Sequence, residues 1–267
     1  MPPEDTPAAG EGLASVRLSG GRIEYRRIPG GGPVLVFLHE GLGCTALWRD
    51  FPDRLCAMTG CAGLVYSRFG YGGSDPCALP RPLSYMEDEG RAVLPELLQA
   101  LNIGDFLLIG HSDGASIAIA CAGSGGVQPR ALVLYAPHVF VEDISVAEIS
   151  RARDFFVNGD LRRRLHPYHG DNTDCAFRGW CDAWLHPDFR GWSLESYLPS
   201  VTVPVLIVQG REDPYGTLEQ VRRIAAGIGA DCECAVLSGC AHQPQKERRD
   251  TCLDVTSRFI TGVLAAD

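Results

Sequence analysis

Ser112 stands two residues after Gly110 and two before Gly114 in the run Leu107-Leu108-Ile109-Gly110-His111-Ser112-Asp113-Gly114-Ala115-Ser116, behind an apolar stretch and ahead of a helix-like one. A strand turning sharply into a helix at that point pushes the serine hydroxyl out at the end of a sheet, and only small neighbours let the backbone bend so tightly. A serine hydroxyl is a weak nucleophile. It needs a base within hydrogen-bond reach, and the base needs a third group to hold its tautomer and stabilise its cation. Two later loops offer them. Gln209-Gly210-Arg211-Glu212-Asp213-Pro214 follows an apolar run and carries Asp213, with Glu212 as its nearest rival; Ser238-Gly239-Cys240-Ala241-His242 follows a strand-like run and carries His242.

These loops converge only if strands place them on one edge of a sheet. Strand patterns fall at 23–27, 34–38, 63–66, 106–109, 132–135, 205–208 and 233–237. Four of them, Val34-Leu35-Val36-Phe37, Phe106-Leu107-Leu108-Ile109, Ala131-Leu132-Val133-Leu134 and Val205-Leu206-Ile207-Val208, are continuous apolar runs, as central strands covered on both faces require. Helical patterns between them, at 84–100, 114–122, 217–226 and 247–264, predict an α/β fold. The sheet is expected to be mostly parallel, twisted and about eight-stranded, with helices on both faces and active groups beyond the strand carboxyl ends. Pro95 is expected to bend or divide the first helix.

From about 140 to 200 the rhythm breaks. That interval is rich in Arg, Asp, His and Trp, has no buried strand run, and shows helical patterns at 146–158 and 180–184. It is read as a helical cap inserted before the last two strands, with 15–139 and 201–267 as the core and 1–14 as a mobile N-terminal tail. Trp180, Trp184 and Trp192 are read as core of the insertion, and Arg162, Arg163 and Arg164 as a solvated helix face.

With 24 basic and 33 acidic residues, the net charge is −9 and no basic run is long enough to track a phosphate backbone. The expected partner is a small-molecule substrate, without nucleic acid or membrane; oligomeric state is not legible. Eleven cysteines, an odd number set mostly in apolar or helical stretches, fit reduced thiols and a cytoplasmic protein. Cys232 and Cys234 would share a strand face without a second ligand pair, so no metal is expected, and no cofactor motif is present.

In this order, the elbow around Ser112, the Asp213 loop and the His242 loop resemble the α/β-hydrolase superfamily, where the triad runs nucleophile, acid, histidine. Phe37-Leu38-His39-Glu40-Gly41-Leu42-Gly43 is similar to its His-Gly loop, and Ser67-Arg68-Phe69-Gly70-Tyr71-Gly72-Gly73-Ser74-Asp75 to its Arg-containing turn. The resemblance implies that Ser112 attacks a carbonyl, His242 shuttles the proton and Asp213 orients His242, with the backbone amides of Gly41 and Asp113 forming an oxyanion hole. The family spacing favours Asp213 over Glu212. Some members carry the acid after the preceding strand, where this chain has Ala136-Pro137-His138, with Glu142 and Asp143 farther on. His39 and His111 are read as loop braces, and His166, His169 and His186 as surface or cap packing. Candidate substrate contacts are Glu40, His138, Val139, Phe140 and Trp184, with Phe155 and Phe156 adding apolar wall.

Two residues depart from the family pattern. Glu40 replaces a glycine of the His-Gly loop, and Asp113 follows the nucleophile where an apolar or amide side chain is usual. An ionised carboxylate aimed at the oxyanion would oppose the charge building there. Asp113 is expected to point away and be stabilised at its helix N-terminus; for Glu40, pocket contact stays open. The function expected is a serine hydrolase cleaving a small carboxylic ester, thioester or lactone through an acyl-enzyme. Hydrolysis of a carbon–carbon bond beside a ketone, as in ring-cleavage diketones, uses the same triad, and a receptor retaining the cavity is the reading of another class.

Overall fold

The computed structural model describes residues 12–266. Eight strands, β1 (Leu13–Leu18), β2 (Gly21–Ile28), β3 (Gly31–Leu38), β4 (Cys61–Tyr66), β5 (Phe106–His111), β6 (Leu132–Tyr135), β7 (Val205–Gly210) and β8 (Cys232–Leu237), form one sheet in the order β1-β2-β4-β3-β5-β6-β7-β8. From β4 to β8 neighbouring strands run parallel, while β2 pairs antiparallel with both β1 and β4. β5, β6 and β7 are buried along their whole length, as their apolar runs predict for strands covered on both faces.

Two apolar layers lie on the sheet. One packs Val36, Leu38, Leu108 and Leu134 against α4 (Asp113–Gly123) and the helical segment at 85–100; the other packs Leu35, Phe37, Leu107 and Val133 against α1 (Phe51–Thr59) and α10 (Arg249–Ala265). Alternate residues of each strand supply alternate layers. α8 (Leu218–Gly227) connects β7 to β8, and the short α9 (Pro244–Glu247) lies between β8 and α10.

The strand before residue 23 lacks a signal in the apolar pattern, because β1 is an edge strand with only Leu18 buried. Its turn chemistry was nevertheless present: Leu18 pairs with Gly21 across Ser19-Gly20, a two-residue hairpin. β1 opens at Leu13, so Leu13 and Ala14 belong to the sheet rather than to the expected tail, and Gly12 forms the turn before it; residues 1–11 of that expectation lie outside the described residues. The segment at 85–100 is divided as Pro95 requires. α2 (Tyr85–Asp88) passes through a wide π turn, Glu89–Val93, into α3 (Leu94–Ala100) with Pro95 in its first turn, where no amide donor is needed.

Between β6 and β7 the chain forms α5 (Asp143–Asn158), α6 (Leu161–His169) and α7 (Thr173–Trp184), followed by 3-10 turns. The arginine-rich α6 carries the expected solvated face at Arg162, Arg163 and Arg164, although its almost wholly polar pattern gave no bounds for the helix; Arg162 and Arg163 pair with Asp174 and Asp160 at the surface. This insertion is fastened to the turn after β4. His169 Nδ1 accepts from the Gly72 amide at 3.1 Å, Asn172 donates to the Gly72 and Ser74 carbonyls, and the thiols of Cys77 and Cys175 meet at 3.3 Å. All eleven cysteines are free thiols; burial pushes Cys56, Cys121 and Cys252 up to about 12, so they pack as small apolar groups. No described helix is long and apolar enough to cross a membrane.

Two glycines give opposite expectations. A Cβ on Gly114 would stand 2.0 Å from the Leu38 carbonyl oxygen, whereas on Gly262, exposed in α10, it would meet nothing within 4 Å. Gly114→Ala should therefore cost about 1–3 kcal/mol by overpacking, and Gly262→Ala should add about 0.5–1 kcal/mol by helix propensity. Urea unfolding of both variants checks this; equal shifts of the same sign would refute it.

Candidate active site

At the carboxyl end of β5 the backbone of Ser112 is forced to φ 52° and ψ −119°, outside the comfortable region for an L-residue. The bend exists because the flanking positions are glycines: a Cβ on Gly110 would lie 2.4 Å from the Gly114 carbonyl oxygen. The Ser112 amide donates to the Tyr135 carbonyl at 2.9 Å, and the Ser112 carbonyl accepts from Ala115 and Ser116 in α4. N–H and C=O of one trans peptide point in opposite directions. Pinning the Ser112 carbonyl into α4 thus turns the Asp113 N–H outward, and it meets no protein acceptor among the described residues.

Ser112 Oγ lies 3.0 Å from His242 Nε2, and His242 Nδ1 lies 2.9 and 2.8 Å from the two carboxylate oxygens of Asp213. With Nδ1–H donating to Asp213, Nε2 is left to accept the serine proton. Asp213 also accepts from the Tyr215 amide at 2.8 Å and from Gln209 Nε2 at 2.8 Å. Burial alone would push its carboxyl up; the hydrogen bond and charge of His242, with the Tyr215 amide, outweigh burial and hold it below the usual range. Such a chain can take a proton from a hydroxyl and keep the resulting imidazolium paired. Glu212, the rival acid, accepts from the Cys240 amide at 2.9 Å and braces the His242 loop, while Glu142 bonds Thr217 and Gln220, and Asp143 bonds Arg190.

His39 and His111 serve as braces. Buried His39 donates through Nδ1 to the Glu40 carbonyl at 2.7 Å, and its Nε2 accepts from the Arg68 amide at 3.1 Å. Arg68 also donates to the Glu40 carbonyl at 2.9 Å. With the Gly43 amide at 3.1 Å, three donors hold the Glu40 carbonyl, and the Gly41 N–H of the same peptide points the opposite way, where it has no protein acceptor among the described residues. His111 Nε2 donates to the His242 carbonyl at 2.7 Å, and its Nδ1 accepts from Gln245 at 3.0 Å. His166 contacts Thr173 and His186 caps a surface turn, both within the insertion.

Asp113 does not rely on the helix terminus alone. Its carboxylate, 1 % exposed, accepts from the Tyr85 hydroxyl at 2.5 Å and from Trp184 Nε1 at 3.2 Å, with Arg68 Nη1 4.0 Å away. Burial, and then the Asp113 charge, push Tyr85 well above its ordinary value, so it stays a donor. Tyr85 carries no signal in the sequence that would mark it as a partner of the elbow.

A cavity of about 120 Å³ opens over Ser112, lined by Glu40, Gly41, Leu42, Asp113, His138, Ser145, Ile149, Trp180, Trp184, Tyr215, His242 and Gln243. Of the expected contacts, Glu40, His138 and Trp184 line it. Val139 and Phe140 do not: Val139 is buried with its amide on Gln220, and the Phe140 ring packs under Arg223 at 3.9 Å. Phe155 is largely exposed, and Phe156 stacks on Phe177 with ring centroids 3.8 Å apart. Their apolar character went into the insertion's own packing and surface. Trp180, one helical turn before Trp184, both packs the insertion and walls the cavity; that i, i+4 spacing was the available signal. Among the described residues no three His, Cys, Asp or Glu side chains cluster as a metal site.

Residues 35–255 match the model of the alpha/beta hydrolase family. The chain is 26% identical over 219 residues to N-formylmaleamate deformylase of Pseudomonas putida, across 74% of this chain and 78% of that protein. It is 26% identical over 227 residues to serine hydrolase BPHL of Homo sapiens, across 79% and 75%. In fold it is similar to the enol-lactonase from Burkholderia xenovorans LB400, with TM-score 0.71, 19% identity, and coverage of 93% of this chain and 100% of that one.

Burial lowers His39, His138 and His169, helped at His39 by the Arg68 charge and at His138 by His242. In the unfolded chain these imidazoles take up protons as pH falls through about 6.5, while the folded protein keeps them neutral. Stability should therefore fall below that pH, by up to about 1.4 kcal/mol per pH unit for each histidine. Thermal unfolding followed from about pH 7.5 to 5 should show a declining midpoint; a midpoint that rises across this window would contradict the burial argument.

Proposed function

The chain belongs to the alpha/beta hydrolase family and is an enzyme of the hydrolase type, and on that premise we propose that it cleaves small carboxylic esters, thioesters or lactones through an acyl-enzyme on Ser112. The observation that carries this reading is the unbroken hydrogen-bond chain Ser112–His242–Asp213, with links of 3.0 and 2.8 Å, opening into a cavity that contains the serine.

Ser112 Oγ attacks the carbonyl carbon as His242 Nε2 takes its proton. The developing oxyanion is held by the Gly41 and Asp113 amides, which have no other acceptor among the described residues. Collapse of the tetrahedral intermediate breaks the bond to the leaving oxygen or sulfur, which receives the proton from His242. Water then repeats the sequence and releases the acid. Asp213, fixed by Gln209 and Tyr215, keeps His242 in the tautomer with the proton on Nδ1 throughout. A cavity of about 120 Å³ holds roughly four waters at liquid density, which favours a small acyl group.

Carbon–carbon hydrolysis of ring-cleavage diketones would run on the same three side chains. No lysine or arginine lines the cavity to receive an acidic diketone, which favours the ester reading. A receptor role would leave the serine–histidine–aspartate chain without a task.

A fluorophosphonate should label Ser112, located by mass spectrometry, and the protein should turn over p-nitrophenyl acetate and butanoate. Ser112→Ala should lose roughly 10³-fold or more of kcat and all labelling. A label on another residue, or a Ser112→Ala enzyme of undiminished rate, would overturn the assignment. Small-molecule binding without turnover would turn the reading to a receptor.

A further inference from the structure

The wall of the cavity over Ser112 carries an acidic group whose hydrogen-bonding capacity the protein leaves unused. Both oxygens of Asp113 have donors, from Tyr85 and Trp184. Glu40, by contrast, lines the cavity with its side chain 19% exposed, and its carboxylate accepts no hydrogen bond from the described residues; His111 Nδ1 lies 3.5 Å from it. That nitrogen already accepts from Gln245, and Lys246, whose charge reaches Glu40, stands outside ion-pair distance. The carboxylate is seated rather than loose: a Cβ on Gly43 would strike its Oε2 at 2.3 Å, so the loop is shaped to admit it.

A second acceptor without a partner is buried in the wall of the same cavity. His138, 2% exposed, donates through Nε2 to the Tyr215 carbonyl at 3.1 Å, which leaves Nδ1 as a lone-pair acceptor with no partner. Around these acceptors stand the aromatic rings of Trp180, Trp184 and Tyr215. A carboxylate and aromatic walls, with no lysine or arginine among the lining residues, form a site that attracts a cation and rejects an anion.

Resting on the ester-hydrolase reading above, we infer that Glu40 is a specificity residue that receives a positively charged ammonium group on the substrate, with Trp180, Trp184 and Tyr215 as its aromatic surround. The carboxylate forms a charge-assisted contact with the ammonium, and the small cavity keeps the two from separating into bulk water. Esters bearing an ammonium on the acyl or the alcohol side are then preferred to neutral isosteres. An alternative role for Glu40, steadying the His242 loop through His111, would affect every substrate alike.

The test compares charge isosteres in pairs: p-nitrophenyl 3-aminopropanoate with p-nitrophenyl butanoate, and 2-(trimethylammonio)ethyl acetate with 3,3-dimethylbutyl acetate. The wild-type enzyme should show higher kcat/KM for the ammonium member of at least one pair. Glu40→Gln should lower that cation-to-neutral ratio by about tenfold or more, while Glu40→Asp, which keeps the charge, should retain most of it. Calorimetric binding of the same pairs to Ser112→Ala, with and without Glu40→Gln, reads the preference without turnover, so failure of ester hydrolysis and failure of the charge preference are seen separately. A wild-type preference for the neutral member in both pairs, or a ratio that Glu40→Gln does not move, would overturn the inference.

Discussion

Arg68 has no exposed surface, and its positive charge organises everything around the serine. A guanidinium taken out of water is costly unless anions and acceptors surround it. Here the carboxylate of Asp113, the carbonyl of Glu40, the ring of His39 and the face of Tyr71 supply them, the last at 4.8 Å. The first two belong to the elements that carry the Asp113 and Gly41 amides. One buried charge therefore sets the loop after β3 against the first turn of α4. Burial by itself would lower the arginine, but Tyr71, Asp113 and Glu89 outweigh it and keep the charge in place.

The elbow shows the same economy on the backbone. Holding Ser112 in an unfavourable conformation costs on the order of 1–3 kcal/mol, and the surrounding sheet must over-determine it. β5 is wholly buried, paired with β3 on one side and β6 on the other, and α4 is buried along nearly its whole length. A Cα held this firmly keeps the serine hydroxyl within reach of His242. The insertion meets the same frame from above, since Trp184 bonds both Tyr85 and Asp113.

How much of this was legible followed from whether an interaction is local. The elbow, the central strands and the Asp213 and His242 loops rest on short-range signals: apolar runs, glycine spacing and strand ends. The partners of the departures do not. Nothing in the neighbourhood of Tyr85 or Trp184 in the chain marks them as donors to Asp113, because they meet it across separations of 28 and 71 residues. The same holds for the cavity wall. Phe155 and Phe156 promised apolar lining by composition, yet the helical rotation of α5 sends them to the surface and into the insertion's packing, while Ser145 and Ile149 of the same helix face the serine. A helix face is readable only when its partner is known.

Glu40 and Asp113 are chemically alike and sit within one small site, but their surroundings give them opposite electrostatic consequences. The Asp113 charge is met by two neutral donors and a guanidinium, so its field is largely cancelled before it reaches a substrate. Burial would push the Glu40 carboxyl up, yet His111 and Lys246 outweigh it and bring it far below the ordinary value, so it remains ionised at the cavity wall. A negative charge beside the Gly41 amide opposes an oxyanion forming there. A bound ammonium removes that opposition, because the pair it makes with Glu40 is nearly neutral at the distance of the reacting carbonyl. The same contact that holds a cationic substrate would therefore also ease the chemical step, and discrimination by charge would fall on kcat as well as on KM.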